Sequence, residues 1–321
     1  MFSIVIPLYN KEQYVERTLR SILSQTYQDY EIVIVDDGST DNSLSIVRSF
    51  DDARIRIIQQ KNAGVSAARN RGIAEARYDL IAFLDADDEW LPNYLETIKD
   101  LENDFSECHV FATNYKIVDS NTNERFPVNT ELLKVGGARG ILINYFDAAA
   151  RTAPPIWTSA VVVRKSALEN IGGFPVGIPM GEDLLTWARL ACKYPIAYSK
   201  TVTAIYHFYT LSEMMNPWKK PDDIDLVGME LRKLIDHCHV NDLSLKRYIA
   251  LWHKMRLKEA MKCGEKRSSL KEMREILRFD RMQYKSYILV LLAFLPQFIR
   301  RMILITFATY QARSVKKGKN D

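Results

Sequence analysis

The feature that most constrains this chain is the stretch from Leu80 to Trp90, L-I-A-F-L-D-A-D-D-E-W. Five apolar residues, Leu80, Ile81, Ala82, Phe83 and Leu84, run directly into three carboxylates, Asp85, Asp87 and Asp88. An unbroken apolar run of this length reads as a strand buried on both faces, as in a parallel sheet covered by helices. Acids crowded at the carboxyl end of such a strand repel one another and raise each other's pKa. A cation should relieve that repulsion, and a divalent metal, which prefers hard carboxylate oxygens, is the simplest. In open α/β sheets the ligand crevice lies outside the carboxyl ends of the strands. The stretch therefore predicts a metal-assisted site, most naturally one for an anionic substrate. The competing reading is an acidic turn opening the next helix, where Asp and Glu are favoured by the helix dipole.

The surrounding sequence repeats the same grammar. Short apolar runs over 2–8, 30–35 and 55–58 predict strands, and amphipathic segments over 12–24, 43–50 and 65–76 predict helices. Alternation of this kind is the signature of βαβ units in a parallel sheet. Three strand exits are polar: Tyr9-Asn10, Asp36-Asp37 and Asp85 to Asp88. Right-handed crossovers keep the carboxyl ends of the strands on one edge, so these groups can meet in one crevice. Further strands are predicted over 110–115, 157–164 and 196–209, and a helix opens at Gly181-Glu182-Asp183. Residues 119–150 lose periodicity and read as a variable insertion.

From about Asp222 strand signals stop and helical periodicity takes over, across 224–237, 245–261 and 270–279. The last apolar segment, Tyr287 to Tyr310, is interrupted by Pro296, Gln297, Arg300 and Arg301, too soon for a membrane span. Beyond Asp280 there are eight Lys or Arg against one acid, although the whole chain carries a net charge of only +4. The basic character belongs to this tail, and nucleic acid is not an expected partner. An apolar face followed by Arg313, Lys316, Lys317 and Lys319 predicts peripheral contact of residues 287–319 with an anionic membrane leaflet. The alternative is a helix pair packed on the protein or on a second subunit, as in a homodimer. Four cysteines without paired spacing argue against a disulfide framework and a zinc site, and fit a reducing compartment. With no signal peptide in the opening residues, the expected location is cytoplasmic, on the inner face of the membrane.

Five segments, F-S-I-V-I-P-L-Y-N, V-I-V-D-D-G-S-T-D, N-A-G-V-S-A-A-R-N-R-G, F-L-D-A-D-D and G-E-D, follow in that order. Together they resemble a family 2 glycosyltransferase of the GT-A fold, over roughly residues 1–210. The resemblance implies an α/β, Rossmann-like, mostly parallel sheet with flanking helices in residues 1–215. A nucleotide-sugar half would run to about 118 and an acceptor half over 119–215, with an α-helical region from 216 to 321. It also implies a nucleotide-sugar donor (a UDP-sugar by preference), a divalent metal (Mn2+ or Mg2+), and inversion at the anomeric carbon. By position, Asp87 matches the metal-binding acid and Asp85 the acid near the ribose and donor sugar. Asp37 matches the base-recognising acid, with Asp36 beside it, and Pro7 and Tyr9 would line the nucleotide pocket. Arg69 matches an arginine placed to pair with the acids or the diphosphate. Asp183 matches the general base, with Glu182 as its alternate, and His207 stands where a late histidine can reach the metal. Asp88 remains for a supporting or helix-capping role, and Trp157 for stacking on an acceptor sugar or filling the core.

The chain lacks the Q-x-x-R-W motif and the several membrane helices of processive synthases, so a single-addition enzyme is expected. A carbohydrate or lipid-linked saccharide acceptor, as in surface-polysaccharide assembly, fits that picture. A sugar nucleotidyltransferase is the enzymatic rival. It would normally open with a Gly-rich loop, whereas Pro7-Leu8-Tyr9-Asn10 contains no glycine. A non-catalytic nucleotide-sugar-binding protein is the other rival.

Overall fold

The computed structural model describes residues 1–208, 220–238, 242–300 and 302–303. The chain divides into two compact units: Met1–Tyr209 with His237–His239, and Thr210–Asp236 with Val240–Asp321. The boundary expected at about 215 lies outside the described residues.

The first unit opens with β1 (Phe2–Leu8), α1 (Val15–Leu23), β2 (Tyr30–Asp36), α2 (Ser43–Arg48), β3 (Ile55–Gln59), α3 (Val65–Glu75) and β4 (Leu80–Phe83). It continues with β5 (Glu89–Trp90), α4 (Tyr94–Asp104), β6 (Val110–Asp119), β7 (Glu124–Arg125), β8 (Arg139–Ile141) and α5 (Tyr145–Arg151). It closes with β9 (Val161–Arg164), α6 (Lys165–Asn170), α7 (Glu182–Lys193) and β10 (Ile196–Phe208). The strand order is β3-β2-β1-β4-β9-β6-β10-β5, with β7 added to β6 and β8 to β10.

The first four strands are parallel, and their interior side chains are those of the apolar runs. Leu8 lies opposite Asp36, and Val5 opposite Phe83, so the exits of β1, β2 and β4 open on one edge. β9 then runs antiparallel between β4 and β6. Because it runs backwards, its leading residues Trp157 to Ala160 stand at the carboxyl edge of β4. The segment expected to lack periodicity supplies β7, β8, α5 and a 3-10 turn, Thr130–Leu132. These pieces are too short to show a period in sequence, and the two strands are held as additions to β6 and β10.

Helix α3 lies close against β1. A Cβ built on Gly72 would stand 2.2 Å from Val5 Cγ1, and Val5 is fully buried. Gly72→Ala must therefore displace either the helix or the valine. The expected cost is about 1–3 kcal/mol, read as a lower urea midpoint at unchanged m value. An unchanged midpoint would mean that α3 yields there freely.

Two expectations about cysteine are corrected. Cys192, in α7, is bonded to Cys238, 46 residues on, with Cα atoms 4.8 Å apart; Cys108 and Cys263 are free. A pair so distant leaves no local spacing to read. Since disulfides persist in oxidising surroundings, the composition no longer argues for a reducing compartment.

The second unit holds α8 (Leu226–Lys233), α9 (Asp242–Cys263), α10 (Lys266–Phe279) and α11 (Tyr287–Ala293). Leu257, Met273, Ile276 and Val290 form an apolar core among α9, α10 and α11. Among the described residues no helix is long and apolar enough to cross a membrane.

Candidate active site

Two loops at the carboxyl edge are bonded to each other. Asn10 adopts φ +52°, a left-handed conformation that asparagine tolerates. That turn lets its Oδ1 accept from Thr40 N at 2.8 Å, while its own N–H donates to Ser39 Oγ at 3.2 Å. Lys11 N donates to Ser43 Oγ at 2.7 Å, and Glu12 N to Asp41 Oδ2 at 3.1 Å. The D-G-S-T-D-N-S run after β2 thus shapes the Y-N-K-E run after β1.

Asp36 and Asp37 are both buried. Asp36 Oδ1 accepts from Ser39 N at 3.1 Å. Asp37 Oδ1 accepts from Gln60 Nε2 at 2.7 Å and Ala63 N at 2.9 Å, and its Oδ2 accepts from Gly64 N at 2.9 Å. Both acids shape the loops of their own edge. Pro7 is partly buried and Tyr9 is exposed at the rim.

The arginine of the N-A-G-V-S-A-A-R-N-R-G motif occupies the centre of the site. Arg69 is only 3% exposed. Its Nη2 donates to Asp85 Oδ1 at 2.7 Å, and its Nη1 to Glu182 Oε1 at 3.2 Å. Its guanidinium carbon lies 5.1 Å from the centroid of the Phe174 ring. The next residue secures that ring: Asn70 accepts from Phe174 N and donates to Phe174 O, both at 2.8 Å. Gly173 makes the approach feasible, since it has φ +68° and a Cβ there would stand 2.5 Å from Asn70 Oδ1. Arg69, Asn70 and Gly72 thus serve the acids, the Gly-Gly-Phe turn and β1 in succession.

The crowded acids are relieved largely by the protein's own cations. Lys11 Nζ bonds to Asp87 Oδ2, and Arg17 donates to Asp87 O. Burial lowers the Lys11 pKa, but the charges of Asp87, Asp85 and Asp88 outweigh it and hold the ammonium above its usual value. Asp88 carries the shift expected of like charges. Burial, then Asp85 and Asp87, push its carboxyl up to about 8. It is not a helix cap. Ser159 Oγ and Trp157 Nε1 both donate to Asp88 Oδ2, and His207 N reaches Asp88 Oδ1 at 3.4 Å. Asp88 therefore ties the β4 exit to the residues ahead of β9 and to β10.

Helix α7 starts at Gly181, in the left-handed conformation at φ +84°. That start places Glu182 and Asp183 in the first turn. Asp183 Oδ1 accepts from Leu184 N at 2.7 Å. Removal from water, then the charge of Glu182, raise the Asp183 carboxyl to about 6 against the opposing pull of Arg69. Tyr115 adjoins it, for burial and then the Asp183 charge push that phenol up. Trp157 lies 5.7 Å from Tyr115 and 4.6 Å from Tyr206, ring centre to ring centre. An aromatic row thus runs beside the two α7 acids.

His207 Nε2 lies 3.0 Å from Glu89 Oε2, and that bond holds the Glu89 carboxyl below its usual range. The His207 ring thus bonds Glu89, not the acid run itself, through Nε2. By sequence Lys11 belongs to the turn after β1 and Ser159 to the 153–159 stretch expected to contact an acceptor; only the fold sets them on Asp87 and Asp88.

A divalent cation fits at Asp87. The carboxylate oxygen already attracts an ammonium, its side chain keeps 24% of its surface open, and oxygen donors suit Mn2+ or Mg2+. A second group of ligand types, Asp225, His253 and Glu272, is buried in the helical unit. It does not fit a metal. Arg232 Nη2, an obligate donor, lies 3.1 Å from His253 Nε2, so the ring proton is on Nδ1 and is donated to Glu272 Oε2 at 2.6 Å. Arg256 Nε bonds Glu272 Oε1 at 2.9 Å, and Trp252 Nε1 bonds Asp225 Oδ1 at 2.9 Å. The imidazole has no lone pair left to give.

A family model described as Glycosyl transferase family 2 matches residues 3–172. The putative teichuronic acid biosynthesis glycosyltransferase TuaG of Bacillus subtilis is 30% identical over 242 residues, which is 73% of this chain and 89% of TuaG. An uncharacterized glycosyltransferase of a Nostoc strain is 34% identical over 183 residues, covering 54% of this chain and 53% of that protein. For a Rickettsia bellii relative the match spans only 26% of its length. Among solved structures, S. aureus TarS 1-349 in complex with UDP-GlcNAc matches with a TM-score of 0.63 at 19% identity. That match covers 87% of this chain and 79% of the TarS chain, and it shows the fold. Asp36, Asp37, Arg69, Asp85, Asp87 and Asp88 thus lie within a matched segment spanning more than half of the sequence, with Glu182 and Asp183 just beyond it, and the chain belongs to glycosyltransferase family 2.

Proposed function

We propose that the chain is an inverting glycosyltransferase that moves a sugar from a UDP-sugar to a hydroxyl of a carbohydrate or lipid-linked saccharide in surface-polysaccharide assembly. The observation that carries this reading is the Arg69 bridge between Asp85, at the exit of β4, and Glu182, beside Asp183 at the start of α7. One buried guanidinium sets the acids assigned to the donor against the acids assigned to the acceptor.

Each residue then has a task. Asp37 accepts three donors out of about four that a carboxylate can take, which leaves one position for a uracil ring N–H. Asp36 supports that loop, while Pro7 and Tyr9 flank the base. Asp85 meets the ribose and donor sugar. Asp87 would hold the divalent cation, with His207 the candidate second ligand. Bound there, it would supply positive charge to the leaving diphosphate. Inversion takes one direct displacement, so the acceptor hydroxyl gives up its proton as it attacks. Asp183 accepts it, and Glu182 keeps Arg69 oriented. The Tyr115, Trp157 and Tyr206 rings offer a face for an acceptor sugar. TarS has been seen with UDP-GlcNAc and with UDP, which supports uridine, and the name of TuaG supports a surface polymer.

A thermal-shift series with UDP-sugars and Mn2+ tests this reading. At a donor concentration about a hundredfold above Kd, binding stabilises the fold by about 2.7 kcal/mol. The stabilisation and metal-dependent UDP release should both disappear in Asp87→Asn. Release of pyrophosphate from a nucleoside triphosphate and a sugar phosphate would instead identify a nucleotidyltransferase.

A further inference from the structure

The helical unit carries two surface stripes that the transfer reaction does not use. Helix α11 turns Val290 and Ala293 inward, with Val290 in the core beside Leu257, Met273 and Ile276. Its other side is apolar and open to water. Ile288 is 61% exposed, Leu291 69%, and Phe298, past the helix end, 72%; Tyr287 and Phe294 are about half exposed. Tyr287, Ile288 and Leu291 lie on the open side of the helix, Phe294 in the turn that ends it and Phe298 just beyond Pro296. Large apolar side chains are normally exposed singly, so five within twelve residues form a patch that needs a partner.

Helix α10 carries the complementary stripe. Arg267, Lys271, Arg274 and Arg278 are all exposed, at three-and-four spacing along one face. Of its two acids, Glu272 is buried with His253 and Arg256, and Glu275 is bonded to Arg232 at 2.9 Å, with Arg278 at the longer 3.9 Å. At the start of the helix Lys266 holds its ammonium 5.1 Å from the centre of the Phe294 ring, so basic and apolar stripes adjoin there.

We propose that this face of the helical unit docks on an anionic lipid surface. The apolar residues would enter the boundary between headgroups and acyl chains, and the α10 cations would lie against lipid phosphates. A second copy of the chain fits less well, because a two-fold contact over the apolar patch would bring two basic stripes to the rim of one interface with no acidic stripe to meet them. In sequence, Arg313, Lys316, Lys317 and Lys319 add further positive charge, outside the described residues. The proposal rests on the helical unit alone and stands or falls independently of the transferase reading.

The test is flotation of the full chain with vesicles of phosphatidylglycerol and phosphatidylethanolamine, and with vesicles of phosphatidylcholine alone. The chain should float with the anionic vesicles, remain behind with the neutral ones, and lose binding as salt rises. Ile288→Glu combined with Leu291→Glu should lower the bound fraction at least about tenfold, as should Arg267→Glu combined with Arg274→Glu. All four positions are exposed, and an unchanged circular dichroism melt verifies that each variant is folded. The proposal is overturned if the native chain stays at the bottom with anionic vesicles, or if the Ile288/Leu291 variant floats like the native chain. It is equally overturned if the lipid-free chain sediments as a dimer that this variant converts to monomer.

Discussion

Asp183→Asn is expected to bind a UDP-sugar as the native chain does and to transfer it about 10²–10⁴-fold more slowly. An amide cannot take the acceptor's proton, but its oxygen can still accept from Leu184 N, so the first turn of α7 is kept. The native pH profile should carry the same group. The Asp183 pKa is raised to about 6, so its carboxyl is protonated below that pH and ionised above it. Only the ionised form is a base. Transfer should therefore fall about tenfold per pH unit below 6 and level off above it. In Asp183→Asn the residual rate should lose this inflection. Near-native transfer by the variant to a verified acceptor would move the role to Glu182.

Arg69→Met should damage stability and activity together. The guanidinium is buried between Asp85 and Glu182 and lies over Phe174. Removing one partner of a buried ion pair costs about 3–5 kcal/mol. Asp85 and Glu182 keep 24% and 14% of their side-chain surface open, so a value near 3 kcal/mol is expected. A second consequence separates this role from mere packing. Arg69 pulls the Asp183 pKa down, so its removal should move the acid limb of the pH profile above 6. Arg69→Lys restores the charge without the planar fork that reaches both acids, and should recover only part of either loss. A urea midpoint and an acid limb both like the native ones would show that the bridge holds nothing.

Much of the first unit was legible in the sequence because each signal was local. The run 80–84 is apolar without interruption, and 2–8 and 30–35 are broken only by Ser3 and Glu31, as a strand covered on both faces requires. The glycines and asparagines of the motifs mark places where the chain must turn tightly or pack closely, as Gly72 does on Val5 and Asn10 at its positive φ. Asn10, Asp37 and Asp85 could be expected at one edge because parallel strands share an exit side, whereas Arg69, Glu182 and Asp183 were expected there through the family resemblance.

Other features depended on neighbours that no spacing reveals. The reversed direction of β9 brings Ser159 and Trp157 to Asp88, and β9 alone reads the same in either direction. The Cys192–Cys238 bond joins residues 46 apart. Lys11 is three residues beyond its strand, and only the fold places it on Asp87.

By itself, then, the sequence determined the parallel strands, the polar edge and the types of residue that gather there, because hydrophobic period and turn chemistry act over a few residues. The tertiary structure alone decided what each carboxylate does. Asp85 meets a buried guanidinium, Asp87 an ammonium, and Asp88 two neutral donors in the interior. Charge and proton affinity follow from water exclusion and from the nearest opposite charge, and both are properties of the folded surroundings.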